Sequence, residues 1–153
     1  MTNKQENALY LFNSGFNCAQ AVFATFCEQY GIEKEKGLKL CGGFGGGVRT
    51  GEICGAVSGA VLVIGLKYGH ADSSDTESKS FCNAKTVEFI KLFKEKTGSV
   101  VCREILGYDI STEDGMHAAH EKGLFKTTCA DMVKISVETL EELGYCPSTN
   151  KTK

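Results

Sequence analysis

Cysteine is the residue type that most strongly suggests chemistry in this sequence. The chain carries eight cysteines in 153 residues. Helical periodicity and capping residues place four of them in the first turn or so of a predicted helix: Cys18, Cys54, Cys102 and Cys129. At a helix start, free backbone N–H groups and the helix dipole favour the thiolate form. These four form the candidate reactive set. The sequence assigns no role to the remaining four, which are Cys27, Cys41, Cys82 and Cys146.

The surroundings of the cysteines favour metal or redox chemistry over a disulfide framework. The chain opens with the polar run from Asn3 to Glu6, unlike a signal peptide, so we expect a cytoplasmic protein. Disulfides are rare in that compartment. The sequence has no Cys-x-x-Cys pair, which disfavours a zinc ribbon and a thioredoxin-type motif. It has no Cys-x-x-Cys-His either, which excludes covalently attached haem.

Three interpretations of the four-cysteine set stay open. Thiolates brought together repel one another, and a metal centre compensates them; four cysteines suit a [2Fe–2S] or [4Fe–4S] cluster, or tetrahedral zinc. A metal-free alternative is two cysteine pairs that cycle between dithiol and disulfide and pass electrons to a partner. In the third, the cysteines are packed as small hydrophobic side chains in a structural or interaction module. Iron is preferred to zinc because zinc sites often keep two ligands close in sequence, and these four are dispersed.

One stretch, residues 42–60, organises the elements that must position these thiols. It begins as a glycine-rich turn and continues as a run of small and aliphatic residues. Gly51, Gly55 and Gly59 recur every fourth residue, which predicts a helix that another helix approaches closely, since glycine inside a helix otherwise costs about 1 kcal/mol. We expect this helix to begin at Thr50 or Gly51 and to end near residue 68 or 69. Its small-residue face could join two copies in a homodimer, although burial within one subunit is favoured.

The rest of the chain also shows helical patterns, and no run alternates long enough to predict a strand. Apolar spacing predicts helices over residues 3–14, 18–30, 33–40, 81–98, 99–106 and 129–143, with a capping box at Thr128 and Asp131. The polar stretch 72–80 is expected to start as a loop, and residues 108–123 are expected to be irregular. The prediction is an all-α fold, a compact helical bundle of five to seven helices. We expect one redox domain over residues 1–145 and a polar tail over residues 146–153.

Charge and hydropathy exclude two classes of function. The net charge is −2 and lysines alternate with acids, so no basic stripe indicates nucleic-acid binding. The longest uncharged apolar run, from Ile53 to Leu66, is short for a membrane span and rich in glycine. We therefore expect neither nucleic-acid binding nor a membrane span.

Several motifs together resemble those of a known family. They are Asn17-Cys18-Ala19-Gln20-Ala21-Val22, Phe44-Gly45-Gly46-Gly47, Cys54-Gly55-Ala56-Val57-Ser58-Gly59, Cys102-Arg103-Glu104-Ile105-Leu106-Gly107, and Cys129. In this order and spacing they resemble the C-GCAxxG-C-C family of redox-active proteins, over about residues 11–143. The family is named for four shared cysteines, and the matching positions are the four that helix position selects.

The resemblance implies a redox protein with a four-cysteine site. The family is also similar to a domain of split-Soret cytochromes that pairs an iron–sulfur site with haem, and this chain lacks the haem-attachment motif. An iron–sulfur cluster for electron transfer, held by the four matching cysteines, is therefore the expected cofactor, with zinc or no metal as the alternatives. The resemblance identifies neither a redox partner protein nor a substrate, and it leaves open whether the chain is an enzyme.

Overall fold

The fold described here is that of a computed structural model, and it covers residues 1–146. These residues form eight α-helices: α1 (Asn3–Asn13), α2 (Cys18–Phe26), α3 (Lys34–Leu40), α4 (Gly55–Tyr68), α5 (Thr76–Thr97), α6 (Cys102–Leu106), α7 (Glu113–Glu121) and α8 (Thr128–Glu142). A 3₁₀ helix, Cys27–Tyr30, continues α2. The described residues contain no strand, and one isolated antiparallel bridge joins Ile53 and Val101. The all-α prediction is confirmed. The predicted tail lies outside the described residues except for Cys146.

The centre of the molecule is the pair α2 and α4, which make the most extensive contact between any two elements. Small residues on α4 allow the close approach that the sequence predicted. A Cβ placed on Gly59 would stand 2.8 Å from the backbone oxygen of Ala19 on α2, and one on Gly55 would collide with the Cys18 sulfur. Helix α8 packs across the pair and also contacts α1 and α5. The small-residue face is thus buried inside one subunit.

Two hydrophobic clusters lie side by side in the fold. The larger is built mainly on α2, α4, α5 and α8, and its fully buried large side chains include Phe26, Ile64 and Phe93. The smaller is built around Cys102, Leu106, Ile110 and Ala119, on α6, α7 and the loop between them. Among residues 1–146, no helix combines the length and apolar character needed to cross a membrane.

Three predictions about helix starts were wrong. Helix α4 begins at Gly55 rather than at Thr50 or Gly51, because residues 46–49 take left-handed backbone angles that a right-handed helix cannot contain. Helix α5 begins at Thr76, inside the expected loop 72–80, because the Asp75 side chain accepts a hydrogen bond from the Ser78 backbone N–H. The N-cap residue of α8 is Thr127, and its side chain makes no capping hydrogen bond. Thr128 lies inside the helix, so the predicted capping box at Thr128 does not form.

The stretch 108–123, expected to be irregular, contains helix α7. Its N-terminus is capped by Thr112, whose hydroxyl accepts a hydrogen bond from the Gly115 N–H at 3.0 Å. Gly115, which suggested an interruption, is instead required by packing, because a Cβ there would collide with the backbone oxygen of Asp109. The helix places Ala119 in the smaller hydrophobic cluster, which borders the site.

Candidate functional site

Four helix starts place the four candidate cysteines. Cys18 and Cys102 are the first residues of α2 and α6, Cys129 is the second residue of α8, and Cys54 is the residue that precedes α4. The predicted position at helix N-termini is therefore confirmed for all four. Tertiary packing brings these four residues to the wall of one cavity, since the four helices are far apart in sequence.

All four cysteines line a single cavity of about 180 Å³. Two belong to the larger hydrophobic cluster or pack against it, and two belong to or pack against the smaller one, so the cavity lies where the clusters meet. Apolar side chains form most of the remaining wall: Phe12, Ile105, Leu106, Ile110, Phe125 and Met132. Besides the cysteines, the polar side chains of the described lining are those of Asn17 and Arg49.

Asn17 fixes the start of α2 and with it Cys18. Its side-chain oxygen accepts a hydrogen bond from the Gln20 N–H, and the Gln20 side-chain oxygen accepts one from the Asn17 N–H, both at 2.8 Å. This reciprocal capping box satisfies two N–H groups that a helix start leaves free. The Asn17 amide nitrogen also donates to the backbone oxygens of Cys41 and Gly42, each at 3.2 Å. The glycine-rich loop is thereby held against the cavity.

Cys54 and Cys102 are placed by a short stretch of paired backbone. The Cys54 N–H donates to the Val100 oxygen at 2.7 Å, and the Cys102 N–H donates to the Glu52 oxygen at 2.5 Å. These bonds flank the bridge between Ile53 and Val101. Because the pairing uses main-chain atoms, the relative position of the two cysteines does not depend on side-chain rotamers.

The cavity thiols differ in acidity. The Cys54 thiol donates a hydrogen bond that stabilises the Cys18 thiolate, and together with backbone N–H groups, including that of Gly46, this lowers the pKa of Cys18 to about 7 against the opposing effect of burial. The same hydrogen bond is the largest cause of the raised pKa of Cys54, and burial is the second. Burial and the nearby Cys18 charge raise the pKa of Cys102 to about 11 and that of Cys129 to about 12.

The glycine-rich loop contains an unusual turn that the sequence did not predict. Gly46 and Gly47 have positive φ angles, and so do Val48 at 59° and Arg49 at 60°. The left-handed region costs an ordinary L-residue about 1–2 kcal/mol and is a genuine outlier for β-branched valine. The turn directs Arg49 to the cavity wall. Burial and the Cys18 charge raise the pKa of Cys102, and the positive charge of Arg49 opposes them in part.

Arg49 and Arg103 both lower the pKa of Cys102, but of the two Arg49 alone lines the cavity. Arg103, which follows Cys102, pairs through its guanidinium with the Glu52 carboxylate at 2.7 Å and does not line the cavity. Arg49 lines the cavity instead. The signal available in the sequence was its place two residues after the Gly45-Gly46-Gly47 run, but the left-handed backbone that directs it to the cavity is visible only in the structure.

The four cysteines outside the candidate set do not line the cavity. Cys27 and Cys41 are fully buried, and burial raises the pKa of both thiols, that of Cys41 to about 12. Cys82 and Cys146 are half-buried and pack against the larger cluster. All eight cysteines lie within residues 1–146 and are free thiols. These four therefore serve as packing residues in this fold.

The donor atoms of the cavity are of a kind that iron–sulfur clusters and zinc both take. These atoms are thiol sulfurs, which suit iron–sulfur clusters and zinc. A single tetrahedral zinc ion needs all four sulfurs at about 2.3 Å from one point. Within the described part of the chain, no three His, Cys, Asp or Glu side chains are arranged to hold one ion. The donor type therefore fits either group, and the positions of the side chains do not decide between them.

Comparison with known proteins agrees with the motif order. No curated protein and no solved structure matched the chain. A family model described as "Putative redox-active protein (C_GCAxxG_C_C)" matches residues 16–143, which include the four cavity cysteines and the glycine-rich loop. The chain therefore belongs to the C_GCAxxG_C_C family of redox-active proteins.

Proposed function

We propose that this chain is an electron-transfer protein whose cavity holds an iron–sulfur cluster through Cys18, Cys54, Cys102 and Cys129. The observation that carries the proposal is that four cysteines, from four separate helix starts, line one cavity with apolar walls. A bound cluster would accept and release single electrons. No substrate is needed for that function.

The residues of the chain would support this role in distinct ways. The four thiol groups would bind as thiolates, which requires loss of their protons, and backbone N–H groups at the start of α2 favour that loss at Cys18. The apolar side chains that complete the wall would limit the access of water to the sulfurs. Asn17 holds the loop that closes one side of the cavity.

Anaerobic purification tests the proposal. We expect a brown protein with equal iron and sulfide, two or four of each per chain, and no stoichiometric zinc. Cys129→Ser removes one cavity thiol and should lower the iron content and the visible absorbance. Cys82→Ser, which removes a half-buried thiol outside the cavity, should leave both unchanged. A colourless protein with one zinc per chain would instead establish a zinc site.

A second candidate function is thiol–disulfide exchange, which the contact between the Cys18 and Cys54 thiols favours. The Cys18 thiolate would attack a disulfide of a partner protein, forming a mixed disulfide and releasing one partner thiolate. The Cys54 thiolate would then attack the Cys18 sulfur, forming a Cys18–Cys54 disulfide and releasing the second partner thiol. Two electrons pass to the partner in this sequence.

The two candidates give different results with oxidised glutathione. A metal-free exchange protein would form the Cys18–Cys54 disulfide, and Cys54→Ala would trap glutathione on Cys18, both visible by peptide mass spectrometry. A protein isolated with its full content of iron and sulfide would form neither product until the iron is removed.

A further inference from the structure

Arg49 occupies a position that the fold reaches only at an energetic cost. Four consecutive residues, 46–49, have positive φ angles, and two of these residues are not glycine. The left-handed conformation costs each of these two non-glycine residues about 1–2 kcal/mol. Strain of this kind persists where the surrounding structure enforces it, and it concentrates at functional sites.

The surroundings of the turn show what holds it. The Thr50 hydroxyl donates to the Gly47 oxygen at 2.8 Å, and the Glu52 N–H donates to the same oxygen at 3.2 Å. Arg103, paired with Glu52, donates to the Gly51 oxygen at 3.2 Å. The turn is therefore closed from both sides by hydrogen bonds.

The turn delivers a positive charge to the cavity. Arg49 is exposed and lines the cavity, so its guanidinium stands where the cavity meets solvent. Its Nη1 atom lies over Gly46, where a Cβ would be only 2.7 Å away and would also stand 2.9 Å from the Ile110 side chain. Glycine at position 46 thus leaves the space that this arginine occupies.

The charge of Arg49 is not neutralised locally. In the described residues, Arg103 pairs with Glu52 at 2.7 Å, whereas no carboxylate pairs with Arg49. Next to apolar walls a charge acts over a lower effective dielectric than in bulk water, so its effect on the sulfur site is strengthened. Arg49 is therefore the cation of the described cavity lining that can offset negative charge on the sulfurs.

We infer that Arg49 is a positioning residue that raises the reduction potential of the cavity site by stabilising its more negative, reduced state. The inference rests on the proposed function in that it requires the cavity to be redox-active. When the site takes one electron from a reduced electron-carrier protein, no bond breaks and its charge becomes more negative by one. A fixed cation beside it favours that state, because net charge is one of the terms that set such potentials.

The test is a redox titration of anaerobically purified variants, with iron and sulfide measured in the same samples. Arg49→Gln removes the charge, Arg49→Lys keeps it, and Lys91→Gln removes a surface charge on α5 outside the cavity lining as a control. We expect a lower midpoint potential in Arg49→Gln, near wild-type values in Arg49→Lys, and no change in Lys91→Gln. A tenfold loss of preference for the reduced state corresponds to a shift of about 59 mV for one electron. The difference between wild type and Arg49→Gln should shrink at high salt, since exposed charges are screened.

Two results would overturn the inference: an Arg49→Gln midpoint equal to that of wild type, or equal midpoints in Arg49→Gln and Arg49→Lys that both differ from wild type. Absence of iron and sulfide from wild type would reject the cluster without rejecting the role of Arg49. In that case the dithiol–disulfide midpoint of the cavity cysteines is titrated instead. It should fall in Arg49→Gln for the same reason, because the reduced thiolate form loses its counter-charge.

Discussion

At the scale of single residues, the cavity cysteines are graded by what surrounds each sulfur. Cys18 has a pKa of about 7 because a neighbouring thiol and backbone N–H groups stabilise its anion. Cys102 and Cys129 have pKa values of about 11 and 12 because burial opposes charge. In the metal-free protein one thiol is therefore far more nucleophilic than its neighbours at neutral pH, since the thiolate is the reactive form.

We expect iodoacetamide to modify Cys18 first in protein stripped of metal by a chelator. The rate of Cys18 alkylation should increase with pH, with its midpoint near pH 7, because a thiol with a lowered pKa forms the thiolate at lower pH. Cys54→Ala removes the main stabilising hydrogen bond and should move that midpoint upward, toward the ordinary value of 9.0. Peptide mass spectrometry after timed quenching measures both. Faster modification of Cys102 or Cys129 than of Cys18 would contradict the assignment.

Val48 is the clearest case of backbone strain in the described residues. It is a β-branched residue with φ 59°, and its side chain is 49% exposed, so little packing depends on it. Val48→Gly should increase the free energy of unfolding by about 1–2 kcal/mol, the cost of the left-handed conformation. Urea denaturation measures this change. Val87→Gly replaces an exposed valine within α5 and is the control, which should lower the free energy of unfolding. Equal losses in both variants would show that position 48 carries no strain.

At the scale of elements, the glycines of α4 have two different uses. Gly59 faces Ala19 and Val22 of α2, where a Cβ would be 2.8 and 3.2 Å from the nearest atoms. Gly65, six residues on in the same helix, has open space at the Cβ position. One glycine thus permits helix contact, whereas the other only weakens the helix.

The two positions should respond to alanine with opposite signs. Gly59→Ala should lower the free energy of unfolding by about 1–3 kcal/mol, because it overpacks the contact with α2. Gly65→Ala should raise it by roughly 0.5–1 kcal/mol, because alanine is the better helix former and meets nothing. Denaturant unfolding of both variants is the measurement. A stabilised Gly59→Ala variant would mean that α2 and α4 are not in close contact.

How far the sequence predicts these elements follows from the range of the forces involved. Asn17 with Gln20 is a local capping signal, and it places α2 correctly. The start of α4 depends instead on the left-handed turn and on pairing of Glu52 and Cys54 with residues near position 100. The same holds for α7, whose Gly115 is explained by contact with Asp109. Convergence of the four cysteines was a hypothesis from helix position and family resemblance, because no local pattern encodes a tertiary cavity.

At the scale of the whole molecule, the cavity lies on the boundary between a large hydrophobic cluster and a small one. Two of its cysteines belong with each cluster. The smaller cluster has few buried residues and rests on α6, a helix of five residues. Ligands shared across this boundary would couple the two clusters, since metal-binding energy becomes folding energy.

Removal of the proposed cluster should therefore affect one half of the molecule more than the other. After anaerobic treatment with a chelator, we expect faster amide hydrogen exchange across residues 102–127 and little change in the interior of α4. The melting temperature should fall as well. Mass spectrometry of peptides compares amide exchange in protein before and after the chelator treatment. Cys82→Ser, which changes a thiol outside the cavity, is the control and should show the same exchange as wild type. A uniform increase along the chain would indicate global destabilisation, and no increase would indicate that the clusters are not coupled through the cavity.

The main-chain pairing that flanks residues 53 and 101 has a consequence for how the two neighbouring cysteines move. Cys54 and Cys102 are held by hydrogen bonds that run in opposite directions between the same two segments. A displacement of one segment therefore carries the backbone of both cysteines together. A site that is preorganised in this way needs little structural rearrangement when its charge changes. With the proposed cluster bound, this backbone pairing would help to keep the reorganisation energy of the redox step low.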